Sequence, residues 1–159
     1  MPMSTYYQEL RRKIGTQLIF SPGVAAIIRN DPGEILFQRP SLDSDVWSLP
    51  AGAVELGETP AEAVKREVFE ETGLHVRPHQ LLGVFGGKDF RFAYPDGNQV
   101  EYLIFLFECA VESGILESVD GESAALAYFP TPSMPPLALP YPTEIFMVPS
   151  SERTFFQGG

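Results

Sequence analysis

The chain has 159 residues and a mass of 17.6 kDa, enough for one domain with one sizeable core and too little for two. Apolar residues make up 44% and charged residues 20%, so the chain can bury enough surface to offset its ordering entropy, which argues against a disordered chain. Eleven Lys and Arg stand against 21 Asp and Glu, a net charge of −10, which opposes a duplex nucleic acid partner and suits hard divalent cations.

Cys109 is the single cysteine and His75 and His79 the two histidines. That excludes an internal disulfide and a Cys-rich zinc site, and it points to a reducing, cytoplasmic setting. The opening residues Met1-Pro2-Met3-Ser4-Thr5-Tyr6-Tyr7 lack the basic-then-apolar order of a signal peptide, and no apolar run approaches the roughly 20 residues of a membrane span. No membrane partner is expected.

Taken in chain order, Tyr6, Tyr7, Leu10 and Ile14 recur at near-helical spacing and predict a short leading helix from Thr5 to Lys13. Residues 1–17 are read as an N-terminal helical extension, whose tyrosines leave a homodimer through it open. Leu18 to Arg29 is apolar and β-branched, Asn30-Asp31-Pro32-Gly33 is a turn, and Glu34 to Arg39 is extended again, a pattern that predicts a β-hairpin.

Thr59-Pro60-Ala61-Glu62 reads as a capping box with proline at the first helical position, and Gly73 ends the run, so residues 59–72 predict the best-marked helix in the chain. An extended stretch from Leu74 to Phe85 follows, then a strand near Phe90 to Tyr94 and the turn Pro95-Asp96-Gly97-Asn98. The return strand, Val100 to Ala110, includes Tyr102 to Phe107 without polar alternation, which predicts a strand covered on both faces at the centre of a sheet. Ala124 to Phe129 is one more strand. Prolines at 130, 132, 135, 136, 140, 142 and 149 then forbid long regular elements, and residues 149–159 are expected to form an irregular tail. The sum is an α+β domain over residues 18–148, a mixed sheet with helices on its faces.

The segment from Gly52 to Leu74 carries the chemistry. On a helix Glu67, Glu70 and Glu71 fall within an arc of about 100° and span roughly 6 Å along the axis. Like charges so spaced destabilise a helix by roughly 0.2–0.5 kcal/mol per pair, and near its C-terminal end they oppose the dipole. A bound divalent cation would offset that cost.

Gly52, Glu58, Arg66, Glu67, Val68, Glu70, Glu71, Gly73 and Leu74 fill every position of the signature of the Nudix (MutT-like) hydrolases, which the chain therefore resembles. The resemblance implies an α/β/α sandwich whose loop–helix–loop presents a Mg²⁺ or Mn²⁺ site. That site would cleave a small nucleoside diphosphate linked to another group: a nucleoside triphosphate, ADP-ribose, a nucleotide sugar or a dinucleoside polyphosphate. Glu67, Glu70 and Glu71 would hold the metal with the backbone carbonyl of Gly52. The catalytic set is Glu67, Glu70, Glu122 and Arg66, with Arg66 and its partner Glu58 orienting the loop. The proton acceptor is Glu67 or Glu70 on the helix, or Glu122 in a later loop, with Glu101 competing. The alternative from another class is a scaffold of this family that binds a nucleotide or a partner without turnover.

Other marked residues have blander readings. Trp47 is read as core, His75 and His79 as surface, and the aromatic strand residues Phe85, Phe90, Phe92 and Tyr94 as core rather than a stacking platform.

Overall fold

A computed structural model describes residues 3–147 and 154–158. Ser4 caps the first helix, α1 (Thr5–Ile14), by accepting from the Tyr7 amide, and Gly15 at φ 65° ends it. No residue of α1 is fully buried; polar contacts hold it instead. The Tyr7 hydroxyl lies 2.9 Å from Ser21 Oγ and donates to the Val54 carbonyl at 3.0 Å. Arg11 donates to the carbonyls of Gly15, Gln17 and Gln99.

The main sheet is built from β1 (Ile19–Ile28), β3 (Ala51–Ala53), β4 (Leu74–Phe85), β5 (Arg91–Ala93), β6 (Gln99–Gly114) and β8 (Phe155–Phe156). Its order is β3-β1-β6-β4-β8, with β5 paired to β6. The apolar run sits where its pattern requires: β6 lies between β1, parallel to it, and β4, antiparallel. Its alternate residues feed two cores. Ile104 and Leu106 join Phe37, Phe85 and Phe146 on one face, and Cys109, Phe105 and Phe107 join Val64 and Val68 of α2 (Pro60–Thr72) on the other.

The turn at Asn30–Gly33 does not make a two-stranded hairpin. β1 gives one edge to β6 and the other to β3 at Gly23–Ala25, and β2 (Ile35–Arg39) keeps only the bridge Arg29–Ile35 with it. β2 pairs over five residues with β7 (Ala125–Phe129) as a separate ribbon. Ile35, Leu36 and Phe37 are wholly buried, so tertiary burial decided the partner and local turn chemistry only reversed the chain.

The face away from α2 is covered thinly. Prolines limit it to short 3₁₀ turns at Thr131–Ser133 and Thr143–Phe146, the latter burying Ile145 and Phe146. The extended segment between them is tied to Trp47, whose amide donates to the Pro136 carbonyl at 2.8 Å and whose carbonyl accepts from Ala138 at 2.9 Å. The tail reading needs one correction: Phe155–Phe156 adds a short parallel strand beside Gly83–Val84, while residues 148–153 and 159 lie outside the described residues. Among the described residues no helix is long and apolar enough to cross a membrane.

Helix α2 forms as its local code dictates. Thr59 Oγ1 accepts from the Glu62 amide and the Glu62 carboxylate accepts from the Thr59 amide, a closed capping box. Gly73 ends the helix in the left-handed region at φ 73°, and a side chain there would collide with the Ile115 carbonyl. The Gly73→Ala variant is therefore expected to lose at least the roughly 1–3 kcal/mol that a non-glycine residue costs in such a conformation; equilibrium denaturant unfolding measures it.

Candidate active site

Helix α2 lies against the edge strand β3, and backbone geometry explains what each β3 residue offers. The Ala26 amide donates to the Pro50 carbonyl and the Val54 amide to the Pro22 carbonyl, so the pairs 26/50, 24/52 and 22/54 are the hydrogen-bonded ones of this antiparallel ladder. The polar groups of Gly52 thus face β1, and those of Ala51 and Ala53 face outward. The Ala51 amide donates to Glu71 Oε2 at 2.9 Å, and the Ala53 carbonyl accepts from Arg66 Nη2 at 3.0 Å. This corrects the expectation for Gly52 as a carbonyl ligand: the outward carbonyl next to the carboxylates is that of Ala51.

Gly52 serves the site in another way. A methyl group on its Cα would overlap the Glu67 carboxylate, so the absence of a side chain lets that carboxylate lie over the strand. Its backbone angles need no glycine, since its φ is not positive; the requirement is space alone.

Arg66 binds Glu58 as a fork, Nε to Oε1 at 2.6 Å and Nη2 to Oε2 at 2.9 Å. Its Nη1 also donates to Glu67 at 2.7 Å and to Glu70 at 3.3 Å. The Glu58 partnership holds the guanidinium well above its ordinary pKa, and Arg66 holds the Glu58 carboxyl below the usual range. One cation is thus shared among three carboxylates.

Glu67 is 5% exposed, and burial pushes its carboxyl up to about 7 against the lowering effect of Arg66. Burial pushes Glu71 up to about 8, and the neighbouring Glu67 charge adds to the effect. Glu70 is raised as well, chiefly by desolvation. Glu71 is held by a residue that sequence reasoning missed: Gln38 of β2 donates to Glu71 Oε2 at 2.6 Å and accepts from the Ser123 hydroxyl. The only signal was a polar residue ending the run Ile35-Leu36-Phe37.

The loop after β6 is fixed on the end of α2. Amides of Val119 and Asp120 donate to the Glu70 carbonyl, and that of Glu117 to the Thr72 carbonyl, satisfying carbonyls that the helix end leaves open. This brings Glu122 to a cleft that Glu71 also lines. Glu101 is not brought there. It pairs with Arg91 at 2.7 Å, and the neighbouring Tyr102, on the opposite strand face, is the residue that lines the cleft. Of the aromatics, Phe85 and Phe90 are core, whereas Phe92, Tyr94 and Trp47 line the cleft. Trp47 is half-buried, held edge-on by Phe129 and capped by Arg39. His75 is exposed and stacks on Phe69, and His79 is exposed.

Among the described residues no three acidic, imidazole or thiol side chains already surround a point that would hold an ion. The donor set nevertheless fits a hard cation. Glu67 and Glu71 are desolvated and repel each other, and a divalent ion supplies the positive charge that one shared guanidinium does not.

Comparison with known proteins matches this arrangement. A profile described as NUDIX domain covers residues 20–147, and the chain belongs to the Nudix family. A MutT-like protein of Streptomyces ambofaciens is 33% identical over 111 residues, 69% of this chain and 64% of that one. The human 8-oxo-dGDP phosphatase NUDT18 is 38% identical over 92 residues, 56% of this chain and 25% of its own length. A crystal structure of a UDP-X diphosphatase superposes with a TM-score of 0.63 at 28% identity, over 87% of this chain and 64% of that one. The chain thus spans less than two thirds of these relatives' lengths.

Two outcomes follow. The Gly52→Ala variant is expected to fold, with an unchanged circular dichroism spectrum, and to lose turnover by about 10²-fold or more, because the displaced Glu67 carboxylate no longer meets its partners. The second concerns acidity. Glu67 and Glu71 are raised from 4.5 to about 7 and about 8, so the folded state binds more protons than the unfolded one across that window, and stability falls as pH rises through it. The melting temperature of chelator-treated protein is expected to drop from pH 5 to pH 8, and Glu71→Gln to flatten the slope.

Proposed function

We propose that this chain is a Mg²⁺- or Mn²⁺-dependent pyrophosphohydrolase that uses water to cleave a phosphoanhydride of a nucleoside diphosphate linked to another group. The observation that carries the reading is the set of desolvated glutamates on one face of α2 beside the edge of β3, of which Glu67 and Glu70 share one guanidinium and Glu71 is held by Gln38 and the Ala51 amide. Membership in the Nudix family supports the same class of chemistry.

In this reading Glu67, Glu70, Glu71 and the Ala51 carbonyl hold the metal. When bound, it neutralises the diphosphate oxygens and lowers the pKa of attached water. The protein's own part is positional. Arg66 and Glu58 fix the loop before α2, so that the carboxylates need not reorganise during reaction. Gln38 orients Glu71 and leaves its second oxygen available. Glu122 is taken as the proton acceptor, because it lines the cleft together with Glu71, whereas Glu67 and Glu70 are given to the metal and to Arg66 and Glu101 is paired elsewhere.

The test is product analysis with and without chelator. Glu70→Gln and Glu71→Gln are each expected to abolish metal-dependent release of nucleoside monophosphate while the fold persists; unchanged turnover in both would remove the site. Gln38→Leu is expected to weaken metal affinity about 10–100-fold, as loss of a group supporting a ligand does, read by titrating activity with Mg²⁺. Glu122→Gln is expected to lower kcat by about 10²–10⁴-fold, the range for a general base. Saturable nucleotide binding without products would instead establish the non-catalytic scaffold.

A further inference from the structure

The cleft has two lobes that meet at the carboxylates. The smaller, about 230 Å³, and the larger, about 520 Å³, share Ala51, Gly52, Glu71, Tyr94, Tyr102 and Glu122 as common wall. Together they fall within the ~300–1,000 Å³ of small-molecule sites, and the smaller alone falls below it.

Their linings differ in chemistry. Trp47, Phe92, Leu137, Leu139 and Tyr141 line the smaller lobe. It is apolar and aromatic, closed by the proline-rich segment tied to Trp47, and it suits a flat heterocycle. Ser4, Tyr7, Arg11, Ser21, Asp96 and Asn98 line the larger, presenting hydroxyl, carboxylate and amide groups that match hydroxyls as both donors and acceptors. Residues Met3 to Arg11 of its wall precede the matched segment 20–147, so this lobe is partly made by the chain's own N-terminal extension.

Charge decides between a terminal phosphate and a neutral group in the larger lobe. Arg11 is its one basic residue among the described residues, and Glu55, Glu67 and Asp96 face the same space. Three of the five Arg11 N–H donors are already given to backbone carbonyls. A terminal phosphate would bring two more negative charges into that surrounding; a sugar brings none.

Resting on the hydrolase reading of this site, we infer that the substrate is two-armed: a nucleoside diphosphate carrying a sugar beyond its second phosphate. Its base sits in the aromatic lobe, its diphosphate at the shared carboxylates and its sugar against the α1 extension and the Asp96 turn. Nucleoside triphosphates, with an organic group on one side only, leave the larger lobe without its partner. Asp96 is held in place for this role by the amide and side chain of Asn98 at 2.9 and 2.8 Å.

Steady-state kinetics with Mg²⁺ on ADP-ribose, ADP-glucose and UDP-glucose against ATP and UTP tests the assignment. The sugar-bearing compounds are expected to show at least tenfold higher kcat/KM. Asp96→Asn and Tyr7→Phe, each checked for fold by circular dichroism, are expected to raise KM at least fivefold more for ADP-ribose than for ATP. Preference for the triphosphates, or equal shifts in both variants, would overturn the inference. Should no compound be turned over, calorimetric titration with the same ligands still decides it. Tighter binding of the sugar-bearing set keeps the two-armed cleft and removes hydrolysis, and binding without that preference removes the cleft assignment.

Discussion

The Arg66 guanidinium is the contact on which the site depends. From one turn of α2 it reaches the preceding loop through Glu58, the edge strand through the Ala53 carbonyl, and its own helix face through Glu67 and Glu70. Three pieces of chain that pack in different ways are thereby held in one geometry. Fork-shaped donors suit this, since a planar guanidinium satisfies several acceptors at fixed angles and a lysine ammonium does not. Its single charge cannot neutralise the carboxylates around it, and burial raises the proton affinity of Glu67 and of Glu71 beside it. The element that orders the site therefore also leaves it short of positive charge, the condition in which a divalent cation binds with most to gain.

Close approach is the second constraint. Helix α2 can bring Glu67 over β3 only because residue 52 has no side chain, and α2 can turn into β4 only because Gly73 tolerates a left-handed backbone against the Ile115 carbonyl. Gly114, at φ 108°, lies against the Gly73 carbonyl in the same way. The two glycines let the end of β6 and the loop to Glu122 sit directly on the helix terminus, where the loop amides take the open carbonyls of Glu70 and Thr72. The loop carboxylate is thus placed by the same helix that carries the others.

How much of this could be read from residues depends on whether the determinant is local. Helix α2 was fully legible, because a capping box and a terminating glycine act over four residues, and the three glutamates share a face by helical period alone. The centrality of β6 was legible from its unbroken apolar run. The partner of β2 was not, because Asn30–Gly33 signals a reversal without saying which edge the next strand will find, and the buried Ile35, Leu36 and Phe37 suit either. Gln38 and Ala51 were illegible for the same reason. One is a polar side chain whose partners lie 33 and 85 residues away, and the other contributes backbone whose direction depends on ladder register.

The division of labour along the chain follows from these distances. Residues 52–74 bring Gly52, Glu58, Arg66 and the three glutamates of the candidate site together largely by short-range rules. The walls of the cleft come from far apart in sequence: α1, the turn at Asp96, Trp47 and the proline-rich segment around Pro136 to Tyr141. Helix α1 has no fully buried residue, whereas Trp47, Leu137, Leu139 and Tyr141 pack on the core that holds Phe37 and Phe85. α1 hangs on Tyr7 and Arg11, and the proline-rich segment on two hydrogen bonds to the Trp47 backbone and on this packing against the core. Proline lowers the cost of ordering such a segment, because its φ is already fixed in the unfolded chain. These walls lie outside α2, so under the proposed function selectivity for the groups beside a diphosphate would be separable in this fold from the chemistry at the carboxylates.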